Sequence, residues 1–217
     1  MSPDDRDSHL APPFVPAVEG DPSARRVRIE PPPRQVLEAV GRREPAALEV
    51  FFDAYFDHVY SLACRLLGDR TAAQDLTQEV FLKVHRAVGT LDPGRDPWPW
   101  LATVVANACR DTWRSGAYRM GRRSDSIDGD PARADALVAR EAGPELLVLA
   151  RERERLVRAA IAALPESHRQ IVLLYEYEGL SHVEVAEVLG IEHAAARKRY
   201  SRALEALGQL LNETLGR

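Results

Sequence analysis

The sequence predicts an all-α protein built as two small helical domains joined by a flexible linker. Apolar residues recur at steps of three and four along most of the chain, no segment alternates in the manner of a half-buried strand, and the periodicity disappears between Ser115 and Pro144. The 217 residues allow one medium domain or two small ones. A content of 45% hydrophobic and 29% charged residues is that of a globular chain. No stretch approaches the roughly 20 apolar residues a bilayer span needs. Met1 to Asp5 lacks the basic start of a signal peptide, so a cytoplasmic protein is expected. Cys64 and Cys109 sit in apolar helical segments with no second ligand at metal spacing and read as reduced core thiols. The net charge of −4 excludes a uniformly basic nucleic-acid binder and leaves local patches open.

Eight of the 15 prolines fall within the first 33 residues, among acids and arginines without a period. Such composition cannot bury enough apolar surface to offset ordering entropy, so residues 1–34 are expected to be a disordered extension. A first domain follows over 35–117. Leu48, Phe52, Tyr55, Val59, Leu62 and Leu66 form one helical stripe, closed by Gly68 and Asp69. A second helix near Thr71 has Ala73, Leu76, Val80, Val84 and Ala87 inward and fades by Gly89. Thr90 to Pro99 holds Pro93, Gly94, Pro97 and Pro99, an irregular loop, and a third helix runs from about Trp100 to Arg114. Trp100 and Trp113 belong in the core, whereas Trp98 is the tryptophan expected to be exposed.

Residues 118–144 form the linker, with Asp125, Asp128, Asp130 and Asp135 in its middle. It has too few apolar residues to dock the domains, which are expected to tumble semi-independently. The second domain, 145–217, opens with a long helix to about Leu164, then a shorter one from Glu166 to about Tyr177.

Gly179 to Arg202 carries the clearest motif. Ser181 and Glu184 have the spacing of a capping box, Val185, Val188 and Leu189 give a buried face, Ala186 permits a close helix crossing, and Gly190 supplies a left-handed turn. The next helix turns Ala196, Tyr200, Ala203, Leu204, Leu207 and Leu211 inward and carries Arg197, Lys198, Arg199 and Arg202 elsewhere. A capped helix, a glycine turn and a basic helix make a helix-turn-helix, whose second helix enters the major groove. Guanidinium forks there read guanine edges while other cations hold phosphates.

On the second helix Asp75, Gln78, Glu79 and Leu82 share the side away from its apolar stripe. By composition alone this is equally a solvated surface. Its order is more telling: Asp75-Leu76-Thr77-Gln78-Glu79-Val80-Phe81-Leu82-Lys83-Val84, then a loop, then Trp100-Leu101, Asn107, Asp111 and Arg114, resembles regions 2.2 to 2.4 of the sigma-70 family, closest to its extracytoplasmic-function group. Ala163-Leu164-Pro165-Glu166 through Leu180-Ser181 to Arg197-Lys198-Arg199 is similar to region 4 of that group. The first domain is thus identified with sigma region 2 and the second with sigma region 4.

The resemblance implies a non-catalytic RNA polymerase sigma factor that binds core polymerase, recognises the minus-35 and minus-10 promoter elements and supports promoter melting. It implies polymerase docking by Asp75, Gln78, Glu79, Phe81 and Leu82. It implies minus-10 contacts from Trp98, Asn107, Asp111 and Arg114, and minus-35 contacts from His193, Ala194, Arg197, Lys198, Ser201 and Arg202. An anti-sigma factor is a further possible partner, with no cofactor and no membrane. The chain departs from the family at Ala102, Thr103 and Ala106, where larger polar residues are common, and this weakens the expectation of backbone contacts near the minus-10 element. An autonomous helix-turn-helix regulator would not explain Asp75, Gln78 and Glu79 ahead of a tryptophan-rich loop. An enzyme would need partners for His85, His168, His182 and His193 that no recognisable catalytic spacing supplies.

Overall fold

The computed structural model describes residues 30–115 and 144–215. The extension over 1–29 and the linker over 116–143, including Asp125 to Asp135, lie outside the described residues. Among those described there is no strand, and helices form both halves.

The first half begins with α1 (Arg34–Gly41), eight residues with Leu37, Ala39 and Val40 buried against α2 (Pro45–Leu67). Proline at the first position of α2 needs no amide partner there. The buried stripe of α2 runs through Leu48, Phe51, Tyr55, Val59, Leu62 and Leu66, so Phe51 holds the inward place expected of Phe52, which is half-buried. Gly68 ends the helix at φ 71, and Asp69 starts the next by accepting from the Ala72 amide at 2.9 Å. In α3 (Arg70–Ala87) Ala73, Leu76, Val80 and Val84 are buried as the period predicts, and one 3-10 turn, Val88–Thr90, follows.

The last helix of this half, α4 (Trp98–Arg114), starts two residues before the expected point, with the Trp98 amide donating to Asp96 Oδ1 at 2.9 Å. That start carries Trp98 into the interior. It is 4% exposed, its ring 6.4 Å from and nearly parallel to that of Tyr55, and 6.0 Å from His58. The expected exposure of Trp98 is therefore corrected: once Pro97 and Pro99 bracket the first helical turn, the indole points back over the α2 stripe. Ala102 and Ala106 are also buried, so these small residues serve the packing of α4 and take nothing from its outer face.

The second half comprises α5 (Pro144–Ala163), α6 (Glu166–Val172) prolonged by a π turn at Leu173–Tyr177, α7 (His182–Leu189) and α8 (His193–Leu215). Ala196, Ala203, Leu207 and Leu211 of α8 are buried, with Tyr200 and Leu204 half-buried beside them.

The two halves dock, contrary to the expectation of independent tumbling. α4 packs along α7, and the end of α2 meets α6 and the π turn. Arg169 of α6 is 2% exposed and donates to the carbonyls of Leu66 at 3.0 Å and Leu164 at 3.1 Å. Arg65 pairs with the buried Glu178 at 3.0 Å while its guanidinium lies 5.3 Å from the Tyr177 ring centroid. Arg110 reaches the Val188 carbonyl at 3.4 Å. These contacts come from α2, α4, α7 and α6 with the turn that follows it, residues outside the linker whose composition prompted the expectation.

Candidate functional site

Three exposed faces carry the residues singled out in the sequence. On α3, Asp75, Gln78 and Glu79 are exposed and Leu82 is 60% exposed. Glu79 pairs with Lys83 one turn on at 2.7 Å, an exposed pair that contributes little to stability. Phe81 flanks this polar strip and is half-buried between two rings of α2: Phe52 meets it edge-on at 5.0 Å and Phe56 stacks on it at 5.7 Å. Phe56 is about half exposed. The α3 face thus continues onto α2 as an aromatic patch, of a kind that marks contact surfaces when it lies open to water. Sequence reasoning missed Phe56, and the available signal was an apolar step of four, Phe52 to Phe56, running beside the main α2 stripe.

The second face lies on α4, where Asn107, Asp111 and Arg114 are exposed at steps of four and three. Asp111 lies 3.8 Å from the Lys83 ammonium, so the cation that neutralises Glu79 also faces the α4 acid and joins the two surfaces. Trp98 is remote from this face, in the core. The loop ahead of α4 is fixed by Asp92, whose side chain accepts from the Gly94 amide at 2.8 Å and whose carbonyl accepts from the Arg95 amide at 3.2 Å.

The third face belongs to the helix-turn-helix. Ser181 accepts from the Glu184 amide at 3.2 Å and Glu184 accepts from the Ser181 amide at 2.8 Å, completing the capping box. Gly190 takes φ 64, and the Ile191 amide closes onto the Ala186 carbonyl at 3.0 Å. From this turn α8 presents His193, Ala194, Arg197, Lys198, Ser201 and Arg202 to solvent on one continuous side. Arg199 faces away, half-buried toward α4.

An aromatic cluster seats the start of α8. His182 stacks on Tyr175 at 4.3 Å and meets Tyr200 at 5.2 Å, Tyr175 and Tyr200 lie 4.6 Å apart, and the Tyr200 hydroxyl donates to Glu176. Burial lowers the His182 pKa, the positive charge of Arg197 and the neighbouring His193 lower it further, and Glu176 pulls the other way. The shift favours the neutral imidazole, which packs as an aromatic. The sequence marked His182 only as a histidine without a partner; its place at the first turn of α7 was the clue to this role.

Taken together the faces offer hydrogen bonding, cations and aromatic surface. Among the described residues no group of histidine, cysteine, aspartate and glutamate is placed to hold a metal, and no helix is long and apolar enough to cross a membrane. Cys64 and Cys109 are free, and burial raises both thiol pKa values.

Residues 51–119 match Sigma-70 region 2, and residues 154–207 match Sigma-70 region 4. The RNA polymerase sigma factor CarQ of Myxococcus xanthus is 33% identical over 167 residues, which are 77% of this chain and 90% of CarQ. The chain belongs to the sigma-70 family. Further relatives place this sigma factor in the extracytoplasmic-function group. The ECF sigma-E factor of Escherichia coli is 30% identical over 79% of this chain and 90% of its own length, and the sigma-H factor of Pseudomonas aeruginosa is 30% identical over 84% and 95%. CnrH, solved with the cytosolic domain of CnrY, shares the fold at a TM-score of 0.56 and 23% identity, covering 83% of this chain and 97% of CnrH. The sigma factor RpoE of Bartonella quintana, solved with the anti-sigma factor NepR, aligns at a TM-score of 0.57 and 20% identity over 74% and 94%. As a sigma factor the chain acts in transcription initiation, binding RNA polymerase and promoter DNA.

Proposed function

We propose a division of labour among the three faces. The α3 strip of Asp75, Gln78, Glu79 and Leu82, with Phe81 and Phe56 beside it, docks core RNA polymerase. Asn107, Asp111 and Arg114 of α4 meet the minus-10 element, with Asp111 held by Lys83. The α8 face reads the minus-35 element: Arg197 and Lys198 contact base edges, Arg202 one turn on contacts phosphate, and His193, Ala194 and Ser201 line the approach. The observation that carries this reading is the exposed α8 face itself, six residues presented together from a capped helix-turn-helix whose inward stripe is buried or half-buried.

Four clustered cations on an otherwise acidic chain neutralise few phosphates, so the free factor binds DNA weakly. Promoter specificity then comes from tethering, since simultaneous contacts within the polymerase raise the effective concentration of each half at its element. The factor works in the cytoplasm and catalyses no reaction. The anti-sigma partner of RpoE supports a further reading, in which a protein of that kind masks the same faces here.

The test is the combined change of Asp75, Gln78 and Glu79 to Ala. These side chains are exposed and leave no cavity, so the variant keeps its fold while losing association with core polymerase. A folded variant that binds core with unchanged affinity places docking elsewhere.

A further inference from the structure

The side of α8 that meets the start of α7 carries a reading residue between two rings. His193, Arg197 and Tyr200 follow one another at steps of four and three, so they share one stripe of that helix. His182, the first residue of α7, lies against this stripe: its ring centroid is 6.4 Å from that of His193 and 5.2 Å from that of Tyr200. A ring this near to the residues one turn before and one turn after Arg197 stands beside Arg197 as well, and the guanidinium charge is felt at His182.

Packing holds His182 there. Tyr175 stacks on it at 4.3 Å and reaches Tyr200 at 4.6 Å, closing a cluster of three rings. Glu176 fastens the cluster by accepting from the Tyr200 hydroxyl. The His182 Nδ1 is buried and has no hydrogen-bond partner among the described residues, so a proton added there finds no acceptor. The groups that face the imidazole are Tyr175 and Glu176 from the π turn and His193, Arg197 and Tyr200 from α8. Glu176 is the one acid among them, and it already holds a hydroxyl. A positive charge on His182 is therefore repelled from α8, and the exposed Arg197, on its long stem, is the group that swings away.

We infer that His182 is a positioning residue for minus-35 recognition: seated by Tyr175 and Tyr200, its ring is the wall that aims the Arg197 guanidinium at a base edge. This rests on the assignment of α8 to the minus-35 element. A bidentate contact depends on the angle of its guanidinium fork, so a wall that fixes the Arg197 stem governs which base is read, whereas a lost phosphate contact weakens every site alike. The wall works uncharged, so reading by Arg197 weakens in acid. Burial, Arg197 and His193 lower the His182 pKa and Glu176 opposes them only in part, which puts that loss below the ordinary imidazole range.

The experiment is competition binding by holoenzyme, assembled from core polymerase and the full chain. It uses two promoters that differ at the one minus-35 base pair where Arg197→Ala changes preference. The ratio of the two is followed from about pH 8 to about pH 5, which cancels the effects of pH that both promoters share. Wild type should lose preference by about fivefold or more toward the acid end, the lower value of one bidentate contact. His182→Phe keeps a ring and cannot take a proton, so it should hold the preference of wild type at the alkaline end throughout. His182→Ala removes the wall and should discriminate poorly at every pH. A His182→Phe variant that loses preference in acid in parallel with wild type overturns the inference, and this comparison decides even where His182→Ala does not fold. So does a wild-type preference that is flat with pH, or a His182→Ala variant that weakens both promoters equally, the mark of a phosphate contact or a loosened fold. An Arg197→Ala holoenzyme with unaltered preference at every minus-35 position defeats the assignment of α8 instead.

Discussion

Glu178 offers a pH test of the seam. It is buried beside Arg65, and burial pushes its pKa up to about 7 against the opposing charge and hydrogen bond of that arginine. A carboxyl group with a higher pKa in the folded chain than in the unfolded one takes up a proton on folding. Its contribution is full below the ordinary carboxylate range, falls as pH rises, and is gone above about 7. Lowering the pH from about 8 to about 6 should therefore stabilise the folded chain by about 1 kcal/mol through this group alone. His58 and His182 act in the opposite sense, since burial lowers both pKa values and acid makes the folded state charge them. The useful quantity is thus the difference between wild type and Glu178→Gln in urea unfolding at each pH. That difference should move toward wild type by about 1 kcal/mol on acidification. If it is flat, or moves the other way, Arg65 dominates, the carboxylate stays ionised in the seam, and the reasoning fails.

Trp98→Ala should cost about 3–5 kcal/mol in chemical denaturation, as for other large core residues, and a cost under about 1 kcal/mol would return the indole to the surface. Ser181→Ala removes the hydroxyl half of the capping box and should lower stability by about 0.5–2 kcal/mol, with Ser181→Gly costing less. In a promoter library read with holoenzyme, Arg197→Ala should relax base preference at one position by about 1–3 kcal/mol. Arg202→Ala should weaken all promoters alike, and the opposite pattern would exchange their roles.

The fold was legible wherever a long period or a cap chemistry dictated local structure. The α3 and α8 stripes, the Gly68 and Gly190 turns and the Ser181–Glu184 box follow from residue type and spacing alone. The α1 helix was not legible, because eight residues are too few for a period and its stability comes from α2. Trp98 was misplaced because a proline-flanked tryptophan looks like loop until the register of α4 is known. In the same way Phe51 and Phe52 are adjacent aromatics of which only the three-dimensional register says which turns inward. The exposed positions of Asp75, Gln78, Glu79, Arg197, Lys198 and Arg202 follow from the inward stripes by elimination. The seam was invisible, since Arg65, Glu178, Arg169 and Leu66 meet from separate helices and no spacing links them.

The aromatic patch where α2 meets α3 also sets how the purified protein behaves. Phe56 and Leu82 stand about half exposed or more beside Phe81 on a chain whose net charge is only −4. Weak overall repulsion and a local greasy spot together favour chain-to-chain association as concentration rises. The unpartnered factor is thus a poorer colloid than its modest hydrophobic content suggests. Its solubility should rise when a partner covers the patch or when Phe56 is replaced by a polar residue. The surface proposed to dock polymerase is thus the one that would make the chain hard to store alone.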